Sequence, residues 1–225
     1  MTLFNKIYII HRAEDTKRDI QSLILSLKGK YNTLEVIEPE PLDDDYSSLI
    51  CFWSKKIQFR KPVISLYNTY MKLLKTIVDE KLDSVLILED DAELDINSEI
   101  ELDMDADIHF LNTRRWKHRN VSCAANYFPM WMRTKRLNDV LLQYRKIKKN
   151  RHRPIDLELD YAKYLYLLNF TYSNFFKHNH TYGSTLGNTY NQLADGSYKS
   201  TITVKKIDEE EEAPTPPNSP ILNPS

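Results

Sequence analysis

The run Ser84-Val85-Leu86-Ile87-Leu88 is unbroken apolar chain after its first residue, and it ends abruptly in three carboxylates, Glu89-Asp90-Asp91. A strand without polar alternation must be covered on both faces, as parallel strands are inside α/β layers. Two strand-then-helix units lead up to it. Residues 3–10 read as a buried strand, and residues 19–27 repeat Ile20, Leu23, Ile24 and Leu27 at helical spacing. Residues 34–37 read as a second strand. Pro62 suits the first turn of a helix running to about residue 81, with Ile64, Tyr67, Met71, Leu74 and Val78 on one stripe. This order predicts an α/β fold with a central, mostly parallel sheet flanked by helices. In such sheets ligands bind beyond the carboxyl ends of the strands, where the three acids stand.

Composition narrows what kind of ligand this can be. Only four glycines occur in 225 residues, against roughly 7% in ordinary usage. Neither GxGxxG nor GxxxxGK[ST] can be written with them, so the usual glycine-rich phosphate cradles are excluded. Lys and Arg number 31 against 32 Asp and Glu, a net charge of -1 that argues for no polyanionic partner. Cys51 and Cys123 are too few for a disulfide framework and suit a reducing compartment. The N-terminus lacks a signal-peptide pattern, and no apolar stretch is long enough to span a membrane. The expected location is cytosolic, in a bacterium or a virus-infected cell. The sequons at Asn120, Asn169 and Asn179 are then coincidental.

Further along, residues 95–107 alternate acids or Asn with mostly apolar residues and read as an extended segment with one solvated face. The Asp103, Asp105, Asp107 spacing is not a calcium loop, because Ile108 and Arg114 fall where its Gly and Glu belong. Strands are expected at 108–111 and 123–127. Thr134 is placed to cap a helix over 135–148, and 156–168 is a further helix. Residues 208–212 are all acidic and precede a segment with five of the ten prolines. A disordered tail over 206–225 follows from that composition.

The acid triplet is suited to Mg²⁺ or Mn²⁺, which take oxygen ligands and neutralise phosphate charge. The competing reading is an acidic turn. Asp156, with Glu158 and Asp160 as alternatives, offers a general base; equally, these acids complement a helix N-terminus. His178 and His180 offer imidazoles that can bind a divalent ion or lie on the surface, and Ser184 and Thr185 can reach phosphate oxygens. Arg114, Arg115 and Lys117 form a small basic group, with Trp116 nearby for stacking and Trp131 a core residue. Residues 133–153 hold nine Lys or Arg and one acid, Asp139. That stretch reads as a solvated helix face or as a contact for anions.

The segment VLILEDDAEL, residues 85–94, resembles the LEDD motif of glycosyltransferase family 25, which includes lipooligosaccharide and collagen galactosyltransferases. IYIIHRAEDTKR, from Ile7, is similar to the family's opening strand and arginine-rich turn, with His11-Arg12 where the family has Asn-Leu. ISLYNTYMKLLKTIVDEKLDSVLILEDD, from Ile64, resembles the helix before that motif, with Tyr67 where His is usual. ADIHFLN, SCAANYFPMWMRTKRLNDVLL and RPIDLELDYAKY follow in the family's order, although its small Gly is missing from the second. The likeness covers roughly residues 4–190.

The resemblance implies a GT-A-like, Rossmann-related domain over 1–205. It implies inverting transfer of a sugar from a UDP-sugar, with UDP-galactose as one candidate, to a glycan or glycosylated protein. It assigns Mn²⁺ (or Mg²⁺) to Asp91, Glu89 and His180. It assigns donor contacts to Ile10, His11, Arg12, Arg18, Glu89 and Asp90, and catalysis to Asp156 and Glu158; Arg114, by position, and Ser184, by its hydroxyl, are added to the donor contacts. Nucleic acid is not an expected partner. Gly183, Gly187 and Gly196 mark a mobile loop over the donor or a loose exit into the tail. The alternatives are a non-catalytic relative of the same fold and, third, a nucleic-acid binder using 133–153.

Overall fold

The computed structural model describes residues 2–13, 15, 18–41, 57–95, 99–116, 119–122, 124–147, 154–178, 190–192 and 198–200. The first strand, β1 (Phe4–Ile10), is followed by α1 (Ile20–Ser26), β2 (Tyr31–Ile37), α2 (Ile57–Asp79) and β3 (Val85–Glu89). The short β4 (Ala92–Leu94) and β5 (Ile108–Phe110) come next. A hairpin of β6 (Thr113–Trp116) and β7 (Arg119–Ser122) then leads to β8 (Ala125–Phe128). The chain continues as α3 (Trp131–Ile147), α4 (Ile155–Tyr166), β9 (Phe170–Tyr172) and β10 (Phe176–His178). A last pair, β11 (Tyr190–Gln192) and β12 (Tyr198–Ser200), is antiparallel.

Six strands form the central sheet in the order β2-β1-β3-β8-β5-β9. Pairings β1–β2, β1–β3 and β5–β9 are parallel, and β8 runs against both β3 and β5. The sheet is thus mostly parallel, with β8 as its reversed strand. This is the α/β layer architecture that the apolar run of β3 demands. Val85 and Ile87 of β3 join Tyr8 and Ile10 of β1 in the core under α2, α3 and α4. Leu86 and Leu88 join Ile7 and Ile9 on the opposite face, under Leu23 and Leu27 beside α1. The period-two alternation of a strand turns one apolar run into two cores.

Several boundaries differ from the sequence reading, each for a physical reason. Helix α2 begins at Ile57, upstream of Pro62. Its buried face carries Tyr70, Leu73 and Ile77 as well as Ile64, Tyr67 and Leu74, while Met71 and Val78 are only partly buried. Thr134 does not cap α3. It lies a turn inside the helix, where its hydroxyl donates to the Met130 carbonyl at 3.1 Å. The cap comes from elsewhere in the chain: Asp83 Oδ1, just before β3, accepts the Trp131 N–H at 2.9 Å. No local pattern announces a cap supplied from 48 residues away. Trp131 packs against the core from its edge.

Glu99, Glu101 and Asp105 are exposed, as a solvated face requires, but Asp103 and Asp107 depart from it. Asp107 is only 1% exposed, and its Oδ2 accepts the Asn169 N–H at 2.7 Å. The Thr171 hydroxyl donates to Asp103 Oδ2, and the Asp105 N–H donates to Asp103 Oδ1 at 2.8 Å. These acids bind the segment to the edge strand β9. His109 joins the same network: its Nδ1 accepts the Asp103 N–H at 3.1 Å, so Nε2 carries the proton toward Ser173 Oγ at 2.9 Å. That tautomer has no acceptor left for the Ser173 proton, which excludes a Ser–His nucleophile pair.

The proposed tail boundary at 205/206, Gly183 and Gly187, and Gly196 lie outside the described residues. Among the described residues, no helix is long and apolar enough to cross a membrane.

Two predictions follow from these contacts. Asp83→Ala removes the cap on α3 and is expected to cost about 1 kcal/mol, lowering Tm by about 2–4 °C in a thermal melt. His109 is held below its ordinary 6.5, chiefly by burial, with Asp103 pulling it back up. A lowered folded pKa means the unfolded chain binds more protons below 6.5. The contribution is therefore complete above that pH and lost as pH falls through the folded value. The drop in Tm between about pH 7 and 5 should be smaller in His109→Gln than in the parent chain.

Candidate functional site

The sheet order makes the site. From β1 the chain moves outward to β2, then crosses back to place β3 on the other side of β1. The connections diverge between β1 and β3, and the crevice at such a switch point is where α/β sheets bind ligands. Ile10 is in register with Glu89. The residues that follow each strand, His11 and Asp90, therefore emerge side by side at the carboxyl edge.

There a compact charged cluster forms. His11 Nδ1 lies 3.0 Å from Asp90 Oδ2. Arg18 Nη1 donates to Asp90 Oδ1 and stands 3.7 Å from Asp91 Oδ2. Arg18 Nε lies 3.4 Å from Asp15 Oδ2. The side chains are deeply placed, with Arg18 7% and Asp90 9% exposed. The turn carrying Arg18 is held locally. The Asp15 N–H donates to the Arg12 carbonyl at 2.9 Å, Glu38 Oε2 accepts the Ala13 N–H at 3.0 Å, and Asp19 accepts the Ser22 N–H at 3.2 Å to cap α1. Adjacent carboxylates repel, and a buried guanidinium between them offsets that repulsion.

A second group of acids reaches the same end of the sheet. Tyr70 of α2 is 1% exposed, and its hydroxyl oxygen accepts a hydrogen bond from Asn126 Nδ2 at 2.8 Å. Its pKa is pushed well above 10.0, first by burial and then by Glu89, with Asp91 and Asp156 adding to the push and Asn126 opposing it. One neutral phenol thus lies within electrostatic reach of acids from the end of β3 and the start of α4. Asp156 is partly exposed, whereas Glu158 is 1% exposed. Sequence reading passed over Tyr70 and Asn126. The only signal was their place, one on a helix face and one on a central strand, and polar groups at such places need partners.

The third arrival is β10. It pairs antiparallel with β4, the strand directly after the acid triplet, and His178 is in register with Ala92. At backbone level this brings an imidazole-bearing residue beside Asp91. His180, Ser184 and Thr185 lie outside the described residues, as does Lys117. Arg114 and Arg115 stand on β6, and of this hairpin the backbone alone is described. Arg12 is partly exposed next to His11. The basic stretch is partly neutralised, since Lys135 pairs with Asp139 at 2.7 Å, Arg133 with Asp105 at 3.4 Å and Arg136 with Asp107 at 3.9 Å. Its end, 148–153, is outside the described residues.

Among the described residues, no three His, Cys, Asp or Glu side chains gather to hold a metal. Asp91, Glu89 and, at the β10 register position, His178 are residue types that divalent ions accept as ligands.

No family model matches the chain, and no curated protein sequence matches it. Among solved structures, one similar chain is a glycosyltransferase involved in the glycosylation of the major capsid of PBCV-1. It is 12% identical, the alignment covers 76% of this chain and 82% of that one, and the TM-score is 0.41.

The ion pair itself is testable. Arg18→Met leaves buried carboxylates without their counter-charge and is expected to destabilise the fold by about 3 kcal/mol, measured by urea unfolding. Adding Asp90→Asn to the same chain should recover part of that loss, because one of the stranded charges is gone.

Proposed function

We propose that this chain is an inverting glycosyltransferase that moves a sugar, galactose in the leading case, from a UDP-sugar to a glycan or glycosylated protein. The observation that carries the reading is the Arg18–Asp90–Asp91 cluster at the β1/β3 switch point, in the segments that resemble family 25. The convergence of Asp156 and of the β10 register on that point supports it.

In this reading Asp91, Glu89 and a histidine of the 178–180 segment hold Mn²⁺ or Mg²⁺. When bound, the ion neutralises the charge that develops on the leaving diphosphate. The remaining work belongs to the chain's own residues. His11 and Arg18 fix Asp90, and with it the turn that presents Asp91. Arg12, Arg114 and Ser184 are the residues assigned to the donor. Asp156, more accessible than Glu158, takes the proton from the acceptor hydroxyl as that oxygen bonds to the anomeric carbon. The bond from that carbon to the diphosphate oxygen breaks on the opposite side, which inverts the centre.

A second reading has one observation in its favour: a cation, Arg18, already stands 3.7 Å from Asp91. On that reading the chain is a non-catalytic module of the same fold. A screen of nucleotide sugars for Mn²⁺-dependent hydrolysis decides between them. Asp91→Asn should lower the rate about a hundredfold. Asp156→Asn should lower transfer by about a hundredfold while leaving UDP binding in place. A chain that binds neither UDP nor Mn²⁺ by calorimetry is the non-catalytic module.

A further inference from the structure

The chain between β4 and β5 ends in a strap, residues 99–107, with no helix or strand of its own. Ile100 and Leu102 are partly buried against the core that β1 and β3 share on their α1 face. The end of the strap is fixed by a paired contact: the Asp107 N–H donates to the Asn169 carbonyl at 2.7 Å, and the Asn169 N–H returns to Asp107 Oδ2. Its middle hangs on His109. The Asp103 N–H donates to Nδ1 at 3.1 Å, while Nε2–H donates to Ser173 Oγ at 2.9 Å. Ser173 leads through Phe175 into β10, and the Phe175 carbonyl accepts the Asp95 N–H at 2.9 Å, just after β4. One imidazole therefore holds the strap with one nitrogen and the connection into β10 with the other. The ring is 3% exposed, edge-on to the rings of Tyr127 and Phe175.

We propose that His109 is an acid-sensitive latch: proton uptake at Nδ1 releases the middle of the strap, residues 100–105, while the central sheet stays closed. The inference does not use the reaction proposed above. Nδ1 can carry a proton or accept the Asp103 N–H, but not both. In the imidazolium, two donors would face each other across 3.1 Å. The Asp103 carboxylate beside it is already engaged, with Oδ1 accepting the Asp105 N–H at 2.8 Å and Oδ2 the Thr171 hydroxyl. Turning to the imidazolium would take that carboxylate away from both, which again frees the strap. The other groups around the ring keep their charge state. Tyr127 of β8 is held above 10.0, chiefly by burial, and stays neutral. Ser173 and Phe175 carry no charge, and Asp105 and Asp107 pair with Arg133 and Arg136 of α3. Asp103 is held below 3.8, chiefly by the Thr171 hydroxyl, so it remains ionised while His109 titrates. Burial opposes protonation of His109 more strongly than Asp103 favours it. The open strap therefore binds the proton better than the closed one, and acid shifts the balance toward opening. Release lets Ile100 and Leu102 leave the core and slackens the chain that follows β4.

The test uses the full chain and two NMR readouts: the imidazole nitrogens of His109, and amide hydrogen exchange between about pH 7.5 and 5, corrected for the intrinsic pH dependence of exchange. In the parent chain His109 should show the Nε2–H tautomer at neutral pH and a titration midpoint below 6.5. The Asp103 and Asp105 amides should lose protection over the same range, about tenfold for each pH unit that separates the midpoint from 6.5. The amides of β3 should lose none. In His109→Gln, which carries no titrating ring, protection at Asp103 and Asp105 should not change with pH. Should His109→Gln not fold, His109→Asn is read in the same way. The latch is wrong if the Asp103 and Asp105 amides keep their protection while His109 titrates, or if the amides of β3 open with them. It is equally wrong if the variant loses protection on acidification as the parent chain does, because another group is then the sensor.

Discussion

The structure at the site depends on how two carboxylates are kept side by side in a place with little water. Asp90 and Asp91 follow a strand that is apolar up to its last residue, Glu89, and both are buried at the sheet edge. Arg18 and His11 answer that charge from the neighbouring strand and its turn. An ion pair so placed gives little net stability over an apolar substitute, because its attraction is spent against desolvation. What it does supply is geometry. The carboxylates, the turn after β1 and the start of α1 are held to one another at the carboxyl edge of β1 and β3.

The rest of the candidate site is drawn from elements that are distant in sequence. Tyr70 ties α2 to β8 through Asn126 and stays protonated among acids. Helix α4 brings Asp156 to the same side of the sheet, and β10 returns beside β4. The arrivals of α2 and β10 each involve a buried polar group with a specific partner, Tyr70 with Asn126 and Asn112 with the Phe176 carbonyl, and such groups specify an arrangement more sharply than apolar packing does. The apolar cores set where the layers lie. The polar contacts set where the chain ends up within them.

Much of the architecture was legible because it rests on periodicity. The apolar run of β3, the alternation of strand and helix, and the spacing of Leu23 and Leu27 or of Ile64, Tyr67 and Leu74 all report burial patterns that local chain geometry enforces. Where the reading went astray, a distant partner had replaced a local one. Thr134 has the chemistry of a cap, but Asp83 does the capping. Asp103 and Asp107 look as solvated as their exposed neighbour Asp105, yet they are bound by Thr171 and Asn169. The Met71 and Val78 positions were on the expected stripe, but helices packing above α2 turn its buried face toward Tyr70, Leu73 and Ile77.

The candidate site divides in the same way. The sequence by itself determined that carboxylates stand at the end of a buried strand, that glycine-rich phosphate loops are absent, and that basic and imidazole groups occur before and after. These follow from residue types and their order, which any fold must respect. Only the tertiary structure decided that Asp90 is held by His11 and Arg18, that Asp156 shares its surroundings with Glu89 and Asp91 through Tyr70, and that His178 lies against Ala92. Those outcomes depend on strand order and register. Pairings between residues 60 or more positions apart are fixed by the packing of the whole sheet, and no local spacing encodes them.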